Sequence, residues 1–306
     1  MHMIQWLKTD KRKSAKAWFI KGCWYDSDPT QIENAIAAYR ESIKIDNTFT
    51  DAYVNLGFVY LRKEEYEEAL LCFQRVSELE TGKPEAYNNL GYVYEKMERF
   101  GSAKKMYERT LEIAPHDIEA IINIAHIDDL EGNYHSAVLQ YKKAIETAPN
   151  EVAPHFCLAV LYDQHDMFDE AIEEYQATLE INPYHLKALF NLGNLFAQEG
   201  QYKEAIICYK RALVLDADDI AAWNNLGSIY EDMYDYARAE SIYRRALSLN
   251  PYKAEANFNL ARIQLMQHQK DLDETLKQDI IRRLNFVLSV NPQSKGAEKL
   301  LAELAK

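Results

Sequence analysis

Set against itself at an offset of 34 residues, the chain matches itself along most of its length. Small residues recur at Gly57, Gly91, Ala125, Ala159, Gly193, Gly227 and Ala261. Alanines recur at Ala69, Ala103, Ala137, Ala171, Ala205 and Ala239, and aromatics at Phe73, Tyr107, Tyr141, Tyr175, Tyr209 and Tyr243. A fixed period of this length restricts the fold severely. Each unit is one supersecondary element too small to bury its own apolar face, so units must stack on their neighbours to make a continuous core.

The stretch from Pro84 to Asp117 shows what one unit is. Tyr87, Leu90, Gly91 and Tyr94 are spaced as i, i+3, i+4 and i+7, the apolar stripe of a first helix. Ala103, Tyr107 and Leu111 form the stripe of a second helix. Pro115 then stops that helix, because proline lacks the N–H and clashes with the preceding turn. Between the two stripes, a helix-ending glycine stands at Gly132 and Gly200 in two of the other units. Small residues at the Gly91 and Ala103 positions let the two axes approach closely, with the aromatics filling the space beside them.

These residues resemble the tetratricopeptide repeat (TPR). Its eight signature positions are met in the unit beginning at Ile220 by Trp223, Leu226, Gly227, Tyr230, Ala239, Tyr243, Ala246 and Pro251. The resemblance spans roughly residues 15–292 and implies an all-α fold: a right-handed α-α superhelix, or TPR solenoid, of about eight helix-turn-helix repeats plus a C-terminal capping helix. The repeats are expected near 15–49, 50–83, 84–117, 118–151, 152–185, 186–219, 220–253 and 254–293. Residues 1–14 form a basic N-terminal arm or the start of a first helix, and residues 294–306 a cap carrying Ala297, Leu300, Leu301 and Leu304. The last repeat holds about seven added residues within 267–279, which either lengthen its helices or form a loop.

Charge narrows the choice of partner. The net charge is −13, yet residues 1–21 carry +5, leaving −18 on the remaining 285. An acidic body repels phosphate backbones, which argues against nucleic acid and anionic membranes as principal partners. No stretch approaches the roughly 20 apolar residues of a bilayer span, so membrane insertion is not expected. Residues 1–21 lack the apolar core of a signal peptide, and the expected location is the cytoplasm, provided no leader precedes Met1. Four cysteines lie far apart with no Cys-x-x-Cys, which suggests free thiols.

Motifs for catalysis, phosphate cradling, metals or cofactors are lacking in the sequence. His126 beside Asp128 and Asp129 comes nearest to a metal cluster and reads as the ordinary polar lining of a groove. The expectation is a protein that is not an enzyme, with no cofactor and no metal.

What remains is the other stripe of each first helix. Repeat positions 2, 5, 6, 9, 12 and 13 share one face, and packing uses positions 4, 7, 8 and 11. In the family this free face lines a concave groove. Position 6 reads Asn55, Asn89, Asn123, Cys157, Asn191, Asn225 and Asn259. An asparagine amide is both donor and acceptor, so it suits a peptide backbone of any sequence; it can equally bond within the stack. A similar run in O-linked GlcNAc transferases keeps open a substrate-recruiting portion of a larger enzyme. Asn88, Tyr92, His126, Asn194 and Asn224 belong to the same face. Ile122, Phe156, Val160 and Phe190 place an apolar patch in its middle, and Glu85, Glu119, Asp129, Asp163, Glu231 and Asp232 rim it with negative charge. Such a layout suits an extended peptide with apolar and basic side chains. Family members that clamp a carboxylate tail need a set of cations here, and Lys187 is the sole cation at position 2. The sequence therefore reads as a protein–protein interaction scaffold that helps organise a multiprotein complex, with self-association as a further possibility.

Overall fold

The structure, a computed structural model, describes residues 2–268 and 272–305, with side chains described from residue 11 onward. Among these residues there is helix and turn and no strand. The helices are α1 (His2–Asp26), α2 (Ile32–Ile45), α3 (Thr50–Arg62), α4 (Tyr66–Leu79), α5 (Pro84–Lys96), α6 (Phe100–Ile113), α7 (Ile118–Leu130) and α8 (Tyr134–Thr147). They continue as α9 (Val152–Gln164), α10 (Phe168–Ile181), α11 (Leu186–Gln198), α12 (Tyr202–Leu215), α13 (Ile220–Asp232), α14 (Tyr236–Leu249), α15 (Ala254–Gln267), α16 (Glu274–Val290) and α17 (Lys295–Leu304). Helix α1 runs unbroken through residue 14. Part of the added length in the last repeat goes into helix, since α16 has 17 residues where α14 has 14. The rest of that stretch, at 269–271, lies outside the described residues.

The chain divides within α9 into two compact units, Met1–Pro154 and His155–Lys306. In the first, α1 packs on α2, α3 on α4, α5 on α6 and α7 on α8, and α2 packs on α3, α4 on α5 and α6 on α7. In the second, α11 with α12, α13 with α14 and α15 with α16 repeat the arrangement, and α17 closes on α16. Ala297 and Leu304 of α17 are buried with Ala261, Ile280 and Leu284, while Leu300 and Leu301 are partly buried against them.

Backbone geometry explains why the helix pairs turn where they do. In six of the turns within repeats one residue adopts a left-handed conformation: Gly132 (φ 79°) and Gly200 (φ 71°), but also Glu64, Glu98, Asp166 and Tyr234 at φ 57–61°. The residue after it donates its N–H five positions back along the chain, as in Glu65 to Tyr60 (2.9 Å), Arg99 to Tyr94 (2.8 Å) and Asp235 to Tyr230 (2.8 Å). This bond satisfies a carbonyl that the helix end would otherwise orphan. Side chains open several of the helices that follow. Asp117 Oδ1 accepts from Ala120 N at 2.8 Å, and Asp219 Oδ1 from Ala221 N and Ala222 N at 2.9 and 3.0 Å.

Aromatic rings laid across the small residues form the core. Tyr39, Phe73, Tyr107, Tyr175, Tyr209 and Tyr243 are all fully buried. A Cβ at Gly91 would come within 2.5 Å of the Tyr107 ring, and one at Gly227 within 2.6 Å of the Tyr243 ring. Each glycine is therefore required by the ring that covers it. Cys72 in the first unit and Cys208 in the second are buried one residue before Phe73 and Tyr209.

Candidate partner-binding face

The buried tyrosines carry hydroxyls, and those hydroxyls decide which face residues are occupied. A buried phenol needs a partner. In several repeats it donates to an acid near the end of its own first helix: Tyr107 to Glu95 Oε2 (3.1 Å), Tyr175 to Asp163 Oδ2 (3.2 Å) and Tyr243 to Glu231 Oε2 (3.3 Å). Tyr209 donates to Asn194 Oδ1 instead. Burial pushes the Asp163 and Glu231 carboxyls above their ordinary value, and Arg262 sits 2.8 Å from Glu231. These rim acids are engaged within the stack and are not bare negative charges.

The hydroxyl also accepts from the next repeat. Asn55 Nδ2 donates to Tyr39 (3.3 Å), Asn191 to Tyr175 (3.0 Å) and Asn225 to Tyr209 (3.4 Å), with Asn225 also 2.9 Å from Asn194 Oδ1. Asn259 donates to Asn224 Oδ1 at 3.2 Å, and Asn224 is itself buried. Hydrogen bonding within the stack thus takes up Asn55, Asn191, Asn225 and Asn259, so the asparagine ladder is not continuously free. Cys157 interrupts it further, with burial raising its thiol pKa.

Asn89 and Asn123 differ. Neither side chain has a hydrogen-bond partner among the described residues. For Asn89 the cause is visible in the sequence of the preceding repeat: its ring residue is Phe73, without a hydroxyl, and Leu61 stands where the acid would be. Beside Asn89, Asn88 is buried and ties α5 to the start of α7 through Asp117 Oδ1 (3.3 Å). Its Oδ1 has no partner among the described residues.

The aromatic residues sort in the same way. Phe156 stacks against Tyr175 (6.1 Å) and His185 (4.6 Å), and Phe190 against Tyr209 (5.9 Å), each half-buried in the second unit. Val160 is half-buried there too, whereas Ile122 belongs to the first unit. Phe58 and Tyr92 are exposed aromatics of the face, at 41% and 40%, and Phe58 lies edge-on to the buried Phe73 ring at 5.3 Å. The Lys96 ammonium lies 4.9 Å from the Tyr92 ring centre. Together with Leu61, Arg62, Glu64, Tyr66, Asn88, Asn89 and Glu119 they line a pocket of about 780 Å³ within the first unit. Arg62 is ion-paired to Asp26. Desolvation and the neighbouring Asp117 raise the Glu119 carboxyl pKa.

Phe58, Leu61 and Lys96 are not singled out by reading the repeats one at a time. The available signal was the joint loss of tyrosine and acid in one repeat. The remaining residues of the face scatter. His126 is exposed, 3.9 Å from Glu95 Oε1. Glu85 and Asp232 are exposed, and Asp129 is half-buried. Asp128 is buried, ion-paired to Lys104 and hydrogen-bonded by Ser136 at 2.6 Å, which takes it away from His126's surroundings. No cluster of metal-ligating side chains occurs among the described residues.

Comparison with known families agrees with this frame. Family profiles described as TPR repeat match residues 31–64 and 193–233. Those described as tetratricopeptide repeat match 48–116, 82–150, 174–207 and 220–253. The fold and these matches together define an all-α helical repeat protein. The chain belongs to the tetratricopeptide-repeat family.

No curated protein sequence matches it. Among solved structures, a chain of the APC/C hetero-tetramer Cut9-Hcn1 is similar at TM-score 0.55 and 20% identity; the likeness covers 90% of this chain and 53% of that one. The C-terminal part of a TPR repeat-containing protein from Cytophaga hutchinsonii is similar at TM-score 0.64 and 16% identity, covering 81% and 99%. Pseudomonas aeruginosa pilF is similar at TM-score 0.56 and 18% identity, covering 74% and 99%. The chain spans about half the length of the Cut9-Hcn1 chain it resembles. These likenesses concern fold. Among the described residues, no helix is long and apolar enough to cross a membrane.

Proposed function

We propose that this protein is a non-catalytic scaffold that binds an extended segment of a partner polypeptide on its first-helix faces and helps organise a multiprotein assembly. The observation that supports this reading is the set Phe58, Asn89, Tyr92 and Asn123 on neighbouring first helices of one unit: two rings about 40% exposed beside two half-buried amides that have no hydrogen-bond partner among the described residues. Aromatic side chains beside amides that can both donate and accept suit a peptide with apolar side chains. The acidic body disfavours a polyanionic partner.

A substrate-recruiting role within a larger enzyme drew its support from a continuous asparagine ladder. With Asn191, Asn225 and Asn259 engaged in the stack, no structural observation favours it over the scaffold.

Photo-crosslinking in the native source tests the proposal. A photoreactive residue at Tyr92 or Asn123 should capture a partner polypeptide. One at Leu71 or Leu139, exposed on the second helices α4 and α8, should not. Capture from the second helices alone would overturn the assignment of the face.

A further inference from the structure

Resting on that reading, we infer that the first unit contains a peptide clamp created by a local break in the hydrogen-bond pattern of the stack. The pocket at Phe58, Asn88, Asn89 and Tyr92 would hold an extended segment by its backbone amides, with one bulky apolar side chain seated between the two rings.

The argument starts from what the second repeat lacks. In two other repeats a buried tyrosine hydroxyl joins an acid of its own repeat to the asparagine of the next: Tyr39 joins Asp26 to Asn55, and Tyr175 joins Asp163 to Asn191. Here the corresponding residues are Phe73, Leu61 and Asn89. Neither a hydroxyl nor an acid is supplied, so the Asn89 amide keeps its donor and its acceptor for an outside group. At its side, Asn88 donates one amide N–H to Asp117 and retains a buried Oδ1 with no partner among the described residues. A buried acceptor without a donor is costly, and a ligand N–H would offset that cost. Two adjacent amides offering both acceptors and N–H donors complement a peptide bond, which presents both an N–H and a C=O.

Phe58 and Tyr92 supply the apolar contact, and the size of the pocket, about 780 Å³, accommodates a large side chain with its flanking backbone. Charge excludes the alternatives. Arg62 is held by Asp26, and Glu64 and Glu119 share the lining, so the site has no surplus of cations for a phosphate. The Lys96 ammonium over Tyr92 opposes a lysine or arginine at that ring. The segment bound here is therefore apolar at its anchor, which keeps the apolar part of the expected apolar and basic peptide and leaves the basic part without a role at this pocket.

The test uses the full chain and a phage-displayed library of random linear peptides as probe. Selected peptides should share a large aliphatic or aromatic residue. Phe58→Ala with Tyr92→Ala should weaken their binding about tenfold or more. A second variant, Leu61→Glu with Phe73→Tyr, restores the pattern of the other repeats, draws Asn89 into the stack and should weaken binding about fivefold without lowering the melting temperature. Unchanged affinity in either folded variant overturns the clamp while leaving a peptide-binding face elsewhere intact. If the unaltered chain selects no peptide, the clamp and the scaffold reading fall together.

Discussion

The two units are built on one frame and leave different things exposed. In the second, Asn191, Asn225 and Asn259 are hydrogen-bonded inside the stack, and Phe156 and Phe190 lie half-buried on tyrosine rings. In the first, Asn89 and Asn123 have no hydrogen-bond partner among the described residues, and Phe58 and Tyr92 stand about 40% exposed, although Phe58 too lies edge-on to a buried ring, Phe73 at 5.3 Å. The difference does not come from the inner helices, since α5 and α6 of the first unit have 13 and 14 residues and so do α11 and α12 of the second. It comes from the polar groups that fill the space between them. If the proposed clamp holds, a repeat protein keeps its scaffold constant and opens a binding site by deleting one hydroxyl and one carboxylate.

If the frame is shared, damage to it should be equally severe in both units. Gly91→Leu and Gly227→Leu each drive a side chain into a buried tyrosine ring, and each should cost about 3 kcal/mol, read by thermal melting and by hydrogen exchange in the affected unit. Unchanged melting in either variant would show that the helix crossings are looser than described. The faces should respond oppositely. Phe156→Ala with Phe190→Ala removes packing on Tyr175 and Tyr209 and should lower the stability of the second unit by about 2 kcal/mol, with peptide affinity little changed. A large loss of affinity without loss of stability would place the anchor in the second unit and reverse the comparison. The smallest effect concerns the turns. Tyr234 holds φ 61°, a conformation disfavoured for a bulky residue, so Tyr234→Gly should raise stability by about 0.5–1 kcal/mol in denaturant titration. A loss would show that the tyrosine ring contributes more than its backbone costs.

How much of this was legible in the sequence depends on whether a feature lies within one repeat or between two. Helices α3, α5, α7, α9, α11, α13 and α15 begin at the residues where the 34-residue period places repeat starts, because periodicity and proline positions are local signals. The close approach at Gly91 and Gly227 was legible for the same reason. The turns were only partly so: Gly132 and Gly200 announce a left-handed residue, whereas Glu64, Glu98, Asp166 and Tyr234 adopt it without a compositional mark. The site was least legible. Whether Asn89 or Asn191 is free depends on a ring 16 residues upstream and on whether it bears an oxygen. Reading position 6 as a column treats the two asparagines as equals. Only reading it together with the preceding Phe73 or Tyr175 separates them. For Asn123 even that fails: Tyr107 has its hydroxyl and donates it to Glu95, as Tyr175 does to Asp163, yet no bond from Asn123 to it occurs among the described residues.

The placement of two cysteines gives the molecule a pair of internal clocks. Cys72 and Cys208 are buried in different units, and desolvation, the leading cause in each, pushes their thiols up to about 12 and about 11. Only the thiolate reacts, so each sulfur stays inert toward alkylating reagents until its own surroundings open. The rate at which each is labelled in the otherwise native protein therefore times the opening of one unit independently of the other. Whichever partner arrives, its grip would be heard first as a slowing of one of these two clocks.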